Sequence, residues 1–443
     1  MGDKNKSSGV GPLRPGIRCI KDDGVEDALR ALLSETFEDG SGDRLAVPVL
    51  GAGLNKQAAA EAGLRVKEED GKAAEVLDWG GLLEEVEKDV GIDAEAAAQI
   101  TSMTARWEAV VRLWEEVGDA AHQRESALGT SVKDQLQLQA KAIARGHRAR
   151  DLGGGVYQEL LDRGFRDMVT LNFTSGLLEV VPEGWLEFQA QSKKVTKQGG
   201  QKPGFALNDY GRNLHFRQAR KTDGGFQRLW QAHGSATERP DEILLGVRRY
   251  GLQVRALDLA FGRFKEAERA YGSRLEPPKQ PRQWSSAQFE SWRGERRQMG
   301  PFTLPGRPRK KDSYGDQSEV LSWLDVFLMS PLVFVGCGLS PDEFPLWWAL
   351  HQRARNQLRV PSDRQMPAVV LWAGEPGLAK KPPEDKDMKD PLGHLRGGPA
   401  GVCTVLFESH ADLWDCFLGR GEAQHDSAEQ RQAAGSSSQA ASP

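Results

Sequence analysis

An α/β architecture, with a mostly parallel sheet covered by helices on both faces, is what this sequence predicts. Three observations carry that prediction. Six short apolar runs are spread along the chain. The runs are continuous rather than alternating, which suits strands buried on both sides. Stretches with helical spacing separate them, which is the alternation of the α/β class.

The elements follow in order. Residues 1–17 are dominated by Gly, Ser, Lys and Pro, and read as a disordered N-terminus. Leu45–Leu50 (LAVPVL) reads as a buried strand ending at Gly51, with a helix over Lys56–Ala62 behind it. Residues 80–150 read as a helical insertion, because apolar residues recur there at spacings of three and four. Met168–Leu171 (MVTL) is a second strand, and Glu242–Leu245 (EILL) a third. Between them, residues 184–228 read as a polar, Gly-rich insertion. Residues 274–311 form a basic loop, and basic loops are more often solvated surface than nucleic-acid sites. Leu332–Val335 (LVFV) ends at Gly336, and a helix follows over Pro345–Arg355. Ala368–Trp372 and Val402–Phe407 supply the last strands. Residues 421–443 hold almost no apolar side chains and read as a disordered tail, which leaves 18–420 as the folded part.

Composition narrows the function. At roughly 100–200 residues per domain, 443 residues predict two or three domains, or one with large insertions. A net charge of −4 gives no global attraction to nucleic acid or anionic membrane, so direct nucleic-acid binding is not expected. No apolar run approaches the ~18 residues of a membrane span. Cys19, Cys337, Cys403 and Cys416 form no C-x-x-C pair. They make neither a zinc module nor a secreted disulfide framework, and read as reduced thiols of a cytoplasmic protein with no bound metal.

Four segments carry candidate chemistry. Gly51-Ala52-Gly53-Leu54-Asn55 lies where a strand turns into a helix. Glycines there let a backbone approach a diphosphate, and a plain tight turn explains them equally well. Thr170-Leu171-Asn172-Phe173-Thr174-Ser175 follows the next strand. In open α/β sheets ligands bind at the carboxyl ends of strands, which suits Asn172, although an Asn there also caps helices. His233-Gly234-Ser235 places an imidazole beside a glycine, where it can act as a general base or serve as an ordinary structural histidine. Gly336-Cys337-Gly338-Leu339-Ser340-Pro341-Asp342-Glu343 is a second glycine turn, suited to a ribose and adenine or to a simple β–α connection. Asp342 and Glu343 are candidates by position for the adenosine ribose.

The order of these motifs resembles the sirtuin family. More closely, it resembles the divergent bacterial sirtuin-like proteins that consume NAD in antiphage defence. Val76-Leu77-Asp78-Trp79 looks like the segment that follows G-A-G in that family, and Asp241 to Tyr250 like its strand and Tyr after H-G. Ser322-Trp323-Leu324 looks like the helix leading into the last glycine turn. The resemblance covers about 44–420 and implies one Rossmann-like domain. Two departures stand out: Thr174 replaces the acid of the family's Asn-Ile-Asp element, and Asn55 stands where Ser is usual.

The resemblance implies hydrolysis of NAD at the nicotinamide–ribose bond, with Asn172 and His233 catalytic. Gly51, Ala52, Gly53, Asn55, Asp78, Thr170, Thr174, Ser175, Gly234, Gly336, Gly338, Leu339, Ser340 and Asp342 would contact the dinucleotide. Deacetylases of the family generally carry paired C-x-x-C motifs, which this chain lacks. An unregulated NAD hydrolase would kill its host, so the resemblance also implies a trigger. That trigger is a partner, such as a helicase-like ATPase, or self-assembly into a homo-oligomer, with 80–150 as a surface for it or, equally well, as plain cover for the core. Two rival readings remain: a transferase moving ADP-ribose to protein, and a non-catalytic nucleotide sensor.

Overall fold

The computed structural model describes residues 13–36, 43–61, 83–84, 86–87, 100, 102–121, 155–172, 177, 185–187, 218–222, 225–234, 244, 246–272, 322–340, 342–357, 365–374 and 401–420. Its first half holds β1 (Gly16–Cys19), α1 (Val25–Ser34), β2 (Val47–Leu50), α2 (Gly53–Glu61), α3 (Met103–Ala121), α4 (Gly155–Asp162) and β3 (Asp167–Thr170). Next come β4 (Trp185–Glu187), β5 (Gln218–Thr222), β6 (Gly225–Gln231), α5 (Gly246–Gly272) and α6 (Trp323–Met329). The chain closes with β7 (Leu332–Val335), α7 (Phe344–Gln357), β8 (Ala368–Ala373), β9 (Val402–Phe407) and α8 (His410–Leu418).

The strands form one sheet in the order β1-β9-β8-β7-β2-β3-β6-β5-β4. Neighbours from β1 across to β6 pair parallel, while β6–β5 and β5–β4 pair antiparallel. The expected α/β, mostly parallel, Rossmann-like architecture is therefore present. Strand residues alternate between two cores. Val47, Val49, Val169, Trp230, Phe334 and Val370 face Leu257 of α5, Phe327 of α6 and Leu350 of α7. Leu50, Met168, Leu229, Val333, Val335 and Val369 face Leu29 of α1, Ala58 of α2, Tyr157 of α4 and Phe417 of α8. With both faces buried, a period of two brings apolar side chains to every position, which is why these strands read as unbroken apolar runs.

The path of the chain creates a switch point. From β2 the chain leaves over the face of α2 and α4 and returns as β3, on one side of β2. From β7 it leaves over the opposite face, through α7, and returns as β8 on the other side. Right-handed crossovers in opposite directions must use opposite faces. The carboxyl ends of adjacent β2 and β7 therefore diverge and open a crevice.

Local chemistry fixes the ends of several elements. Ser322 and Asp325 form a capping box at α6: the Asp325 N–H donates to Ser322 Oγ at 3.3 Å, and the Ser322 N–H donates to Asp325 Oδ2 at 2.9 Å. Buried Arg353 donates to the carbonyls of Phe327 at 2.6 Å and Met366 at 2.7 Å, which ties α7 to α6 and to the start of β8. Pro48 lacks an N–H, and the ladder from β2 to β3 starts only at Val49.

Four expectations need correction. The ordered chain starts before residue 18: Leu13 is buried in the core and β1 pairs with β9 from Gly16. The segment 184–228 is not simply a polar insertion, because β4, β5 and the start of β6 lie within it. Within Glu242–Leu245 only Leu244 is described and it is not in a strand; β6 is the strand beside β3. Tyr250 sits on helix α5 rather than after a strand. The basic loop 274–311 and the tail 421–443 lie outside the described residues, as does most of the helical insertion apart from α3. No described helix is long and apolar enough to cross a membrane.

Candidate active site

The four predicted segments all fall at carboxyl ends of the central parallel strands β2, β3, β6 and β7. On the β2/β7 side the two glycine turns pack on one another. The Gly51 N–H donates to the Val335 carbonyl at 3.0 Å, and the Gly53 N–H to the Gly336 carbonyl at 3.0 Å. A Cβ at Gly53 would lie 2.5 Å from Gly336 Cα, and one at Gly51 would lie 2.7 Å from Cys337 Cα and closer still to the Gly336 carbonyl oxygen. Gly336 itself has φ 63°, in the left-handed region. These three glycines permit backbone contact between turns, and the amides of Gly51 and Gly53 are already committed. The diphosphate cradle expected at Gly51–Gly53 thus has its two glycine amides turned to the neighbouring turn instead of a ligand.

Gly338 differs. It is exposed, and a Cβ built on it meets nothing within 4 Å. Leu339 beside it is a non-glycine residue at φ 42°, with its side chain buried in the core. Such a backbone costs of order 1–3 kcal/mol and persists only where the surroundings impose it. Ser340 closes the turn: its Oγ accepts from the Asp342 N–H at 3.1 Å and its carbonyl accepts from Trp347 Nε1 at 2.9 Å. Both Asp342 oxygens brace α3, accepting from Ser102 Oγ at 2.8 Å and from the Met103 N–H at 2.6 Å. Asp342 therefore caps the insertion helix from a distant loop.

On the β3/β6 side, side chains rather than glycines occupy the strand ends. Thr170 pairs with Gln231 in the parallel register, so Asn172 and His233 each follow that pair at the same interval. Asn172 Nδ2 donates to the Gly51 carbonyl at 3.0 Å, and its backbone N–H donates to Thr170 Oγ1 at 3.1 Å. The side chain thus links the β3 end to the first glycine turn. Gly234, at φ 84°, turns the chain after His233, and its N–H donates to the Gln231 carbonyl at 3.0 Å. Buried Gln253 of α5 donates to the Ala232 carbonyl at 2.5 Å and holds this turn from behind.

His233 is 3% exposed, and its Nε2 lies 3.0 Å from Glu343 Oε2, close enough for an ion pair but without hydrogen-bond alignment. The ring of Tyr250 stands 5.5 Å from the imidazole. Its hydroxyl donates to the same Glu343 oxygen at 3.4 Å. Burial, followed by the charge of Glu343, pushes the Tyr250 phenol well above its usual range, so it stays a neutral donor. Burial, and secondarily Glu343, does the same to the Cys337 thiol, which donates to the Val49 carbonyl at 3.0 Å.

Of the other predicted residues, Asn55 is buried on α2 and its Oδ1 accepts from the Tyr157 hydroxyl at 2.7 Å, bracing α4. Ala52 is part of the turn before α2. Asp78, Thr174 and Ser175 lie outside the described residues. Among the described residues, no three His, Cys, Asp or Glu side chains cluster as a metal site. For the pairing with His233, the only sequence signals were the place of Glu343 beside the last glycine turn and the family resemblance at Tyr250. A scan against protein-family models gives no match to this chain, and a search of curated proteins gives none either.

Proposed function

We propose that the chain is a sirtuin-like NAD+ hydrolase that cleaves the nicotinamide–ribose bond. The observation that carries the reading is the pairing of Asn172 and His233 at equivalent positions past the ends of adjacent parallel strands. An amide and an imidazole at neighbouring strand ends suit a reaction that must orient a sugar and a water and accept one proton. In the reaction the C1′–N bond breaks, and its electron pair stays on the pyridine nitrogen, so nicotinamide leaves neutral. A water oxygen bonds to C1′, and the proton it sheds goes to His233. The products are nicotinamide, ADP-ribose and a proton. Asn172 orients the ribose and the water, and its bond to the Gly51 carbonyl holds its amide in place.

The ADP portion is placed against the turn at Gly338, where an added Cβ would meet nothing, rather than against the committed amides of Gly51 and Gly53. As an NAD-depleting effector of antiphage defence, the protein would be held silent until a partner or assembly releases it. The rival reading is a nucleotide sensor that binds in the same crevice without turnover.

Incubation with NAD, with and without candidate partners, separates the two when read by chromatography for nicotinamide and ADP-ribose. Asn172→Ala and His233→Ala are each expected to lower nicotinamide release by at least about 100-fold in folded protein. Turnover at the wild-type level in either variant would overturn the assignment. ADP-ribose appearing on protein instead of in solution would point to a transferase.

A further inference from the structure

We infer that Glu343 is a positioning residue for His233, and that Tyr250 completes the group. This rests on the reading of His233 as the proton acceptor. Three elements bring these side chains together: the turn after β6, helix α5, and the distant turn between β7 and α7. Glu343 Oε2 is shared by His233 Nε2 at 3.0 Å and the Tyr250 hydroxyl at 3.4 Å. His233 is 3% exposed and the Glu343 side chain 19%. In so little water, an imidazole that gains a proton needs a fixed counter-charge, because burial penalises the charged form.

The geometry supplies that charge. When the attacking water sheds its proton onto His233, the resulting imidazolium faces the Glu343 carboxylate directly. The carboxylate orients the ring and stabilises the cation without taking the proton, as the acid of a Ser-His-Asp triad does. Tyr250, kept neutral by burial, donates to the same oxygen and fixes its position. The present contact is short but not linear, and such bonds commonly tighten when substrate closes the site. Neighbouring Asp342 anchors α3 by two hydrogen bonds, so the backbone that carries Glu343 is held on its N-terminal side. On the other side it runs directly into α7.

The test uses the full-length protein with 15N-labelled histidine, free and with ADP-ribose added to close the site, and its first arm needs no turnover. One downfield imidazole N–H proton is expected, assigned to His233 by its loss in His233→Gln. It should persist in Tyr250→Phe, shift upfield in Glu343→Gln and vanish in Glu343→Ala. Absence of that resonance in the wild type, or its persistence unchanged in Glu343→Ala, overturns the pairing. In the second arm, Glu343→Gln is expected to lower kcat by about 10–100-fold with KM for NAD within about twofold, and Glu343→Asp to recover part of the loss. Equal kcat in the wild type and Glu343→Gln overturns the role of Glu343 and leaves His233 untouched. Unimpaired turnover in His233→Ala overturns the hydrolase reading instead, while the N–H resonance still reports the pairing.

Discussion

Both halves of the crevice are strand ends that run into turns, and they do opposite things. At the ends of β2 and β7, glycines pack turn on turn, and the amides of Gly51 and Gly53 are bonded across to Val335 and Gly336. At the ends of β3 and β6, the turns carry Asn172 and His233, whose side chains make the polar contacts. A glycine-rich strand-to-helix turn is therefore not a ligand cradle by composition alone. Here it forms a floor, and the Asn172 amide rests on that floor through the Gly51 carbonyl. Among Gly51, Gly53, Gly336 and Gly338, the last alone keeps open space where a Cβ would lie.

The largest expected effect separates floor from open turn. Gly51→Ala and Gly336→Ala should each cost about 2–3 kcal/mol in chemical denaturation, because the added Cβ meets backbone that cannot swing away. Gly338→Ala should stay within about 0.5 kcal/mol of wild type, since it meets nothing. Similar losses at all three positions would erase the distinction between the two turns.

Asp342→Ala comes next. It removes the acceptor for Ser102 and for the first amide of α3, and a lost cap costs about 1 kcal/mol. Nicotinamide release should fall as well, because Glu343 is the next residue. A stability loss with full turnover would show that α3 and His233 are held independently.

The smallest effect concerns thiols. Burial pushes Cys403 up to about 11 and Cys337 further, so both remain protonated near neutral pH and lack the nucleophilic thiolate. Thiolate forms only as pH rises toward those raised values, so reactivity should grow on the alkaline side. Cys416 is also buried, and Cys19 alone is partly exposed. Mass spectrometry after native alkylation should find the label on Cys19 and not on Cys337. Ready labelling of Cys337 would mean that the β2/β7 floor opens in solution.

Strands β2, β7, β8 and β9 were legible in the sequence because both of their faces are buried, which leaves continuous apolar runs. Strand β6 was hidden because GFQRLWQ mixes charge with aromatics. Its Arg228 is tolerated because Nε donates to Asp167 Oδ1 at 2.6 Å, and Trp230 donates to the same oxygen at 2.9 Å. That compensation comes from another strand and leaves no local trace. Strand β4, at the sheet edge, and β5 beside it were hidden for a related reason: strands at and next to an edge need not be apolar on both faces. Asn172 and His233 stood out because each follows a strand end or a glycine turn, where ligands meet open α/β sheets. Glu343 stood out only by position, beside Asp342, and Tyr250 only through the family resemblance.

The amino-acid sequence by itself determined the class of the fold, most of the central strands and the residues at their carboxyl ends. Those properties follow from local hydrophobic period and from glycine at turns, which act over a few residues. Tertiary structure decided what the glycines are for and which acid belongs to which partner. Asp342 and Glu343 are adjacent, yet one caps α3 and the other faces His233. Strand order and crossover direction set that division by bringing distant segments to one crevice, and no period along the chain records which of two neighbouring carboxylates will meet an imidazole there.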